Sequence, residues 1–227
     1  MTRDPLRMYL VLRRGAVAGL ARAGELAGAA AVDCVRAFAA DPAFADAVAA
    51  WRPRPGKVCL RARTAGQWRQ VLDEPHALAG DAEGEGAVAL PPRPRSQRGP
   101  LLERLQAMST ALEPPPAAAD PADDRDAVTY LLNPGAPMSS GKSIAQIAHA
   151  AVMAGDDGAL GAWVAASCPA RVLAPGPAGF AVGVRAGLRV ACVQDAGLTE
   201  VAPGTMTVVA LGPSPARDLP AGLVASG

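Results

Sequence analysis

The stretch EPPPAAADPADDRDA, from Glu113 to Ala127, limits what this chain can fold into more than any other feature. A triple proline followed by four aspartates, with no apolar periodicity, reads as a linker. It divides the chain near its middle, and the two halves repeat each other. The first opens with MYLVLRRG and the second with VTYLLNPG, each a short apolar strand followed by a turn. AGELAGAAAVDCVRAF then answers SGKSIAQIAHAAVMAG, two helices built from small residues. Both halves close on a Val-Ala-Leu strand and a proline-rich turn. The division expected is a first domain at residues 1–113, a linker at 114–127 and a second domain at 128–227. Strand, helix, helix, strand, a variable middle, a strand and a last helix make each half one α/β layer structure.

Composition supports two packed units. Half of the 227 residues are apolar but only 4% are aromatic, so the cores must be built from Ala, Val and Leu. Net charge is +1, which gives no global pull toward nucleic acid or membrane. The apolar run in MTRDPLRMYLVLRRG is too short for a signal peptide, and no run approaches the ~18 residues of a membrane span. Cys34, Cys59, Cys168 and Cys192 lack Cys-x-x-Cys spacing and read as reduced thiols of a cytoplasmic protein.

PGAPMSSGKSIAQIAHA (residues 134–150) imitates a phosphate-binding loop. The motif Gly-x-x-x-x-Gly-Lys-Ser needs its first glycine at residue 136, where Ala136 stands; the glycine is Gly135. Pro137 also removes one of the loop amides that would cradle phosphate. The helix that follows says more. Lys142, Gln146 and His149 stand at i, i+4 and i+7 and share one face. A cation, an amide and an imidazole below free helix-terminal amides suit a carbonyl or a phosphate. His149, two turns in, is equally explained as a half-buried structural histidine. Aligning the two helices puts Glu25 opposite Lys142, Ala29 opposite Gln146 and Val32 opposite His149, so the first half keeps the apolar pattern and lacks the polar strip.

Usage of basic residues adds a pointer. Of 22 basic side chains 20 are Arg, and the lysines are Lys57 and Lys142. A compact ammonium can sit at a reacting centre and lose its proton when buried. The second polar cluster is QDAGLTEVAPGTMTVVALG, Gln194 to Gly212. Asp195 lies just past a strand formed by Leu188 to Val193, where α/β sheets gather ligand groups. Gly197, Pro203 and Gly204 shape turns, and Thr199, Thr205 and Thr207 supply hydroxyls.

Together MSSGKSIAQIAHAAV and QDAGLTEVAPGTMTVVALGPSP resemble the type 2 peptidyl-tRNA hydrolase family, whose patterns are Gly-Lys-x-x-x-Gln-x-x-His-Ala and Asp-Ala-Gly-x-Thr-x-x-x-Pro-Gly-x-x-Thr. The resemblance covers residues 128 to about 224; the first half looks like a degenerate copy. It implies, in each half, a small mixed four-stranded sheet with helices on both faces, two tandem three-layer α/β/α units. It implies hydrolysis of the ester between a peptide, or an N-blocked aminoacyl group, and tRNA, with no metal or cofactor. By position the catalytic candidates are Lys142, Asp195, Thr199 and Thr207. Gly141, Gln146, His149, Pro203, Gly204 and Thr205 would bind substrate. Asp195 would orient or deprotonate water, Lys142 and the helix amides would stabilise the oxyanion or the terminal phosphate, and the threonines would hold ester or water. Leu198 and Glu200 stand where the family often has Arg and Gln.

The partner implied is peptidyl-tRNA or another acyl-tRNA, with no membrane. Family members pair as dimers, so the halves could form an internal pseudo-dimer in a monomeric chain, or the chain could form a homodimer. Residues 127–227 carry five basic and five acidic side chains, whereas residues 1–113 carry 16 and 12. The phosphate contacts are therefore expected from Arg52, Arg54, Arg61, Arg63, Arg93, Arg95 and Arg98 in the first half. A non-catalytic tRNA- or protein-binding module derived from the hydrolase is the alternative, as is a related hydrolase or transferase acting on another acyl-tRNA.

Overall fold

The two apolar opening runs become the central strands of two separate sheets. In the computed structural model, which describes residues 4–109, 111–197 and 200–225, these are β1 (Leu6–Arg13) and β6 (Ala127–Leu132). The first unit continues with α1 (Leu20–Ala39), α2 (Ala45–Trp51), β2 (Gly56–Ala62), α3 (Ala65–Leu72), β3 (Ala77–Gly80), β4 (Gly86–Pro94), α4 (Gly99–Arg104) and β5 (Gln106–Ala107). The second continues with α5 (Ser140–Gly155), α6 (Gly161–Ala165), β7 (Ala170–Leu173), α7 (Pro177–Arg185), β8 (Arg189–Gln194) and β9 (Met206–Ser214). Both sheets are mixed, so the chain is α/β with two sheets flanked by helices.

Strand orders are β3-β4-β1-β2-β5 and β7-β6-β9-β8. Read from opposite ends, the first four strands of one match the four of the other. Each central strand runs parallel to β2 or β7 and antiparallel to β4 or β9, and each sheet begins with an antiparallel hairpin. The expected four strands hold for the second unit. The first has a fifth, because Gln106 and Ala107 pair with Arg61 and Leu60 and blunt the exposed edge of β2.

Even an irregularity is shared. The register shifts between Arg7 and Tyr9 in one sheet and between Ala127 and Thr129 in the other, after which Tyr9 faces Leu90 and Thr129 faces Leu211. The helix N-caps are Gly19 and Ser139, and Ala23, Leu26, Ala27, Ala30 and Cys34 are buried where Ser143, Gln146, Ile147, Ala150 and Ala154 are. This corrects the helix alignment expected from sequence. Arg22, not Glu25, lies opposite Lys142; Leu26, not Ala29, opposite Gln146; and Ala29, not Val32, opposite His149. A slip of three residues nearly preserves a helix's apolar face, and Ala-rich helices offer few side-chain landmarks to prevent it.

The same small residues explain the packing. Helices α1 and α5 lie against each other in one layer between the two sheets, α1 reaching β7 and α5 reaching β2. One buried cluster runs from Met8 and Leu10 through both helices to Val128 and Tyr130. A Cβ at Gly24 would lie 2.6 Å from Ile147 Cδ1, and one at Gly28 3.2 Å from Ala151 Cβ. Larger side chains would force the helices apart and open voids in the core. The outer face of the first sheet is covered by Trp68, Val71 and Leu102 of α3 and α4, and that of the second by Phe180 of α7 with Leu219 and Leu223.

Residues 114–127 run along the second unit. The Ala119 amide donates to the Leu223 carbonyl at 2.8 Å. Asp123 accepts from Arg125 and from buried Arg171, which also donates to Thr129 and to the carbonyls of Arg125 and Ser214. Hydrogen bonds from Arg125, partly offset by burial, and from Arg171 hold the Asp123 carboxyl well below the usual carboxylate range. No described helix is long and apolar enough to cross a membrane.

Candidate active site

Helix α5 begins where Ser139 caps it, its Oγ accepting from the Lys142 amide at 3.2 Å. The cap sets the rotation of the first turns and turns Lys142 and Gln146 toward the end of β8. Asp195 follows that strand in a tight turn. Its amide donates to the Thr205 carbonyl at 2.9 Å, and its own carbonyl accepts from Gly204 at 2.8 Å. Its Oδ1 accepts from the Gly197 amide at 2.8 Å. Gly197 has φ of +74° and its α-carbon lies against the Pro203 ring, so only glycine fits there.

Asp195 Oδ2 accepts from the Lys142 ammonium and, at 2.6 Å, from Gln146 Nε2. The Lys142 side chain is 13% exposed and that of Asp195 7%, so the ion pair is largely removed from water. Behind it Thr207, wholly buried on β9, donates to Gln146 Oε1 at 3.0 Å. Burial works against the charge of Asp195, but the Lys142 ammonium, the Gly197 amide and Gln146 outweigh it and hold the carboxyl below its usual range. The carboxylate therefore stays charged at neutral pH, buried and preorganised against Lys142.

The other expected residues are distributed around this network. His149 stays outside it. Burial first, then the neighbouring Lys57 ammonium, pushes the imidazole down to about 3, despite the opposing influence of Asp195. It is a neutral base at physiological pH. Gly141 packs on the Met108 backbone of the first unit, so its missing Cβ serves helix–strap contact. Thr205 and Gly204 shape the Asp195 turn through their backbones, and Pro203 covers Gly197. Thr199 lies outside the described residues. The seven arginines do not share one surface. Arg52 pairs with Asp156, the C-cap of α5, Arg93 with Glu74 and Arg98 with Glu103. Arg61 and Arg63 stand at the C-terminal end of β2, while Arg93 pairs with Arg7 near the opposite end of β1.

Three features escaped the sequence reading. Glu200 grips Ser139, accepting from its amide at 2.6 Å and its hydroxyl at 2.8 Å. The helix mouth expected to offer free amides is thus occupied by a carboxylate, a match of negative charge to the helix dipole. Lys57 of β2 aims its Nζ into the protein, 4.5 Å from the Trp51 ring centroid and without a hydrogen-bond partner. Finally, the first unit keeps part of the site. Asp81 follows β3 as Asp195 follows β8, its amide donating to Glu85 O at 2.8 Å and its Oδ1 accepting from Glu83 N at 2.9 Å. The dipeptide Asp-Ala at 81–82 and 195–196 was the available signal.

An α/β unit that buries a charged Lys–Asp pair, braced by an amide and a hydroxyl, is the class this site defines. The family model described as peptidyl-tRNA hydrolase PTH2 matches residues 181–221, the segment that carries β8, the Asp195 turn and β9. The match supports that family for this part of the chain. No curated protein matches the chain.

Proposed function

We propose that the chain hydrolyses the ester joining a peptide or N-blocked aminoacyl group to the 3′ end of tRNA, releasing free tRNA. The observation that carries this reading is the buried pair of Lys142, on the first turn of α5, with Asp195, just past β8, in a unit whose 181–221 segment matches the PTH2 model. Water attacks the ester carbonyl, and the negative charge developing on its oxygen is met by the Lys142 ammonium. Asp195 already accepts from Lys142, Gln146 and Gly197, and its acidity makes it a weak base. Its part is to orient Lys142 and the attacking water. Thr207 and Gln146 brace Asp195 from behind and do not touch the ester. The bond from the acyl carbon to the 3′ oxygen breaks, the proton that the attacking water gives up passes to that oxygen, and the tRNA departs with a free 3′ hydroxyl while the peptide keeps the new carboxyl group.

The matched strand orders, the shared register shift and the corresponding helix N-cap positions support reading the halves as tandem copies packed as an internal pseudo-dimer. That reading makes the folded chain a monomer. A non-catalytic binder is favoured by one observation, the Glu200 carboxylate seated at the helix mouth, which repels phosphate. Release of free tRNA from a peptidyl-tRNA separates the two. Wild type should turn over, and Lys142→Ala should lose roughly 10²-fold or more, the scale of removing one key stabiliser. Equal turnover in the two proteins, with melting curves proving both folded, would end the proposal.

A further inference from the structure

In the Lys142–Asp195 pair one ammonium meets one carboxylate, and a second carboxylate stands at the mouth of α5. Glu200, in the loop between β8 and β9, is exposed and grips Ser139 with both oxygens, Oε2 on the amide at 2.6 Å and Oε1 on the hydroxyl at 2.8 Å. The same hydroxyl accepts from the Lys142 amide at 3.2 Å, so two hydrogen bonds link the Glu200 carboxylate to the backbone of Lys142. Both groups it holds are uncharged, and among the described residues no Lys, Arg or His pairs with Glu200. The segments that frame the site, residues 133–141 and 196–205, contain no other charged side chain. The rim of the site therefore carries a surplus negative charge. The helix does not need it. Ser139 caps α5 with its own hydroxyl, and α1 starts at Gly19 with only the Glu113 backbone carbonyl on its first amide.

We propose that Glu200 is a specificity-determining residue, and that it favours acyl groups carrying an ammonium near the ester. This rests on the ester-hydrolase reading of the site and names the acyl chemistry the site prefers. The charge has two sources, the basic side chain of the esterified residue or a free α-amine. The long side chain of an esterified lysine can reach a carboxylate at the helix mouth. An α-ammonium beside the ester feels it through space, within the ~10 Å over which salt leaves charges unscreened. An uncharged N-acyl residue gains nothing from Glu200, and an acidic one is repelled. The carboxylate is exposed, so the attraction has the size of a surface ion pair, a few-fold in rate and not orders of magnitude. Repulsion of tRNA phosphate by Glu200 does not blur this choice, because acyl groups on one tRNA all bring the same phosphates.

The experiment measures kcat/KM of the full chain and of Glu200→Gln on four esters of one tRNA, after subtraction of spontaneous hydrolysis. The acyl groups are acetyl-leucyl, acetyl-lysyl, acetyl-glutamyl and leucyl with its amine free. Wild type should cleave the acetyl-lysyl ester about threefold faster than the acetyl-leucyl ester, the scale of an exposed ion pair, and the acetyl-glutamyl ester more slowly. Glu200→Gln should bring these ratios toward one, and added salt should shrink them in wild type. Gln keeps an acceptor for Ser139, so a purely structural cap would move all four rates together and leave the ratios alone. Ratios that are flat in wild type, or unchanged in Glu200→Gln, overturn the proposal. A lysyl preference alone assigns the effect to the side chain; a preference for free leucyl over acetyl-leucyl, lost in Glu200→Gln, assigns it to the α-amine. Failure to cleave any of the four esters ends the hydrolase reading and this proposal with it, whereas cleavage with flat ratios ends this proposal alone.

Discussion

The two units place corresponding residues at corresponding points and treat their charges in opposite ways. In the second unit Lys142 and Asp195 meet in a buried pair. In the first, Arg22 turns outward to Glu85 at 3.1 Å, with both side chains about half exposed. Asp81 keeps the backbone turn of Asp195 but not a buried cation. The cause lies one layer deeper. Gln146 and Thr207 surround the buried pair with hydrogen bonds, whereas the equivalent positions carry Leu26 and Gly86. An apolar neighbour cannot satisfy a desolvated carboxylate. With Leu where the second unit has Gln, the first unit can hold a charge pair only at its surface, where such pairs contribute little.

That comparison breaks most sharply at the aspartates. Asp195→Ala leaves the Lys142 ammonium buried without its partner and Gln146 without an acceptor. Peptidyl-tRNA turnover should fall by about 10³-fold, and stability by about 3 kcal/mol. Asp81→Ala loses one turn bond at the surface and should leave turnover unchanged. Parallel turnover assays and denaturant melts of the two variants decide it; matching losses would show that the first unit's aspartate also serves the chemistry.

Copying the first unit's choice into the second is the next largest perturbation. Gln146→Leu strips Asp195 and Thr207 of partners inside the protein and should cost about 1–3 kcal/mol. The Asp195 carboxyl loses one of the groups that hold it low, so its titration should move up. Its stability contribution is present above the unfolded-state value and is lost as pH falls through the folded one. The variant should therefore lose more of its turnover on acidification than wild type does. A pH–rate profile superimposable on that of wild type would show that Gln146 does not brace Asp195.

The helix mouths differ more mildly. The first amide of α1 donates to the backbone carbonyl of Glu113 at 2.8 Å, a contact built into the chain's path. At α5 the amide one position earlier, that of the N-cap Ser139, is held by a side chain, Glu200, which can leave. Glu200→Gln removes a negative charge beside the site and keeps a hydrogen-bonding group for Ser139. It should tighten tRNA binding by a few-fold, an effect that shrinks with salt. Anisotropy titrations at two salt concentrations test this; weaker binding would mean that Glu200 organises the site and does not guard it. Residues 1–113 share their core with α5, so their contribution to tRNA binding is best read in the full chain. Arg54→Glu with Arg63→Glu should weaken binding and lower its salt slope.

Much of this was legible in the sequence because strands and small-residue helices leave period and composition behind. The α/β order follows from pattern, and the polar helix strip and the turn cluster named Lys142, Gln146, Asp195 and Thr207 as candidates, side chains that meet in the fold. Register was not legible. Ala-rich helices slide by a turn without penalty in the pattern, and only the helix caps and the buried positions fixed Arg22 as the counterpart of Lys142. Contacts between distant segments were equally hidden. The grip of Glu200 on Ser139 depends on a loop that sequence periodicity does not describe.

The two seams between the units give the smallest and most specific test. Strand β7 meets α1 where Val172 lies against Gly24, an apolar contact. The equivalent seam, β2 against α5, carries Lys57 and His149. Burial pushes the Lys57 ammonium down to about 7, against some help from Asp156, and pushes His149 down to about 3. Both shifts disfavour the protonated forms in the folded protein, so both make stability rise with pH. For Lys57 the window lies between about 7 and the ordinary 10.5, where the unfolded chain holds a proton that the folded chain lacks; below it the full cost is present. For His149 the window lies between about 3 and 6.5. Lys57→Met should therefore stabilise the protein at pH 6 by about 1 kcal/mol or more, roughly 2–4 °C in Tm for a chain of this size. The gain should shrink as pH rises through 9 toward 10.5. His149→Leu should show its gain at pH 5 and little of it at pH 8. Thermal melts across that range separate the two windows. A Lys57→Met gain that stayed constant with pH would place its origin in packing over Trp51 and not in a buried charge.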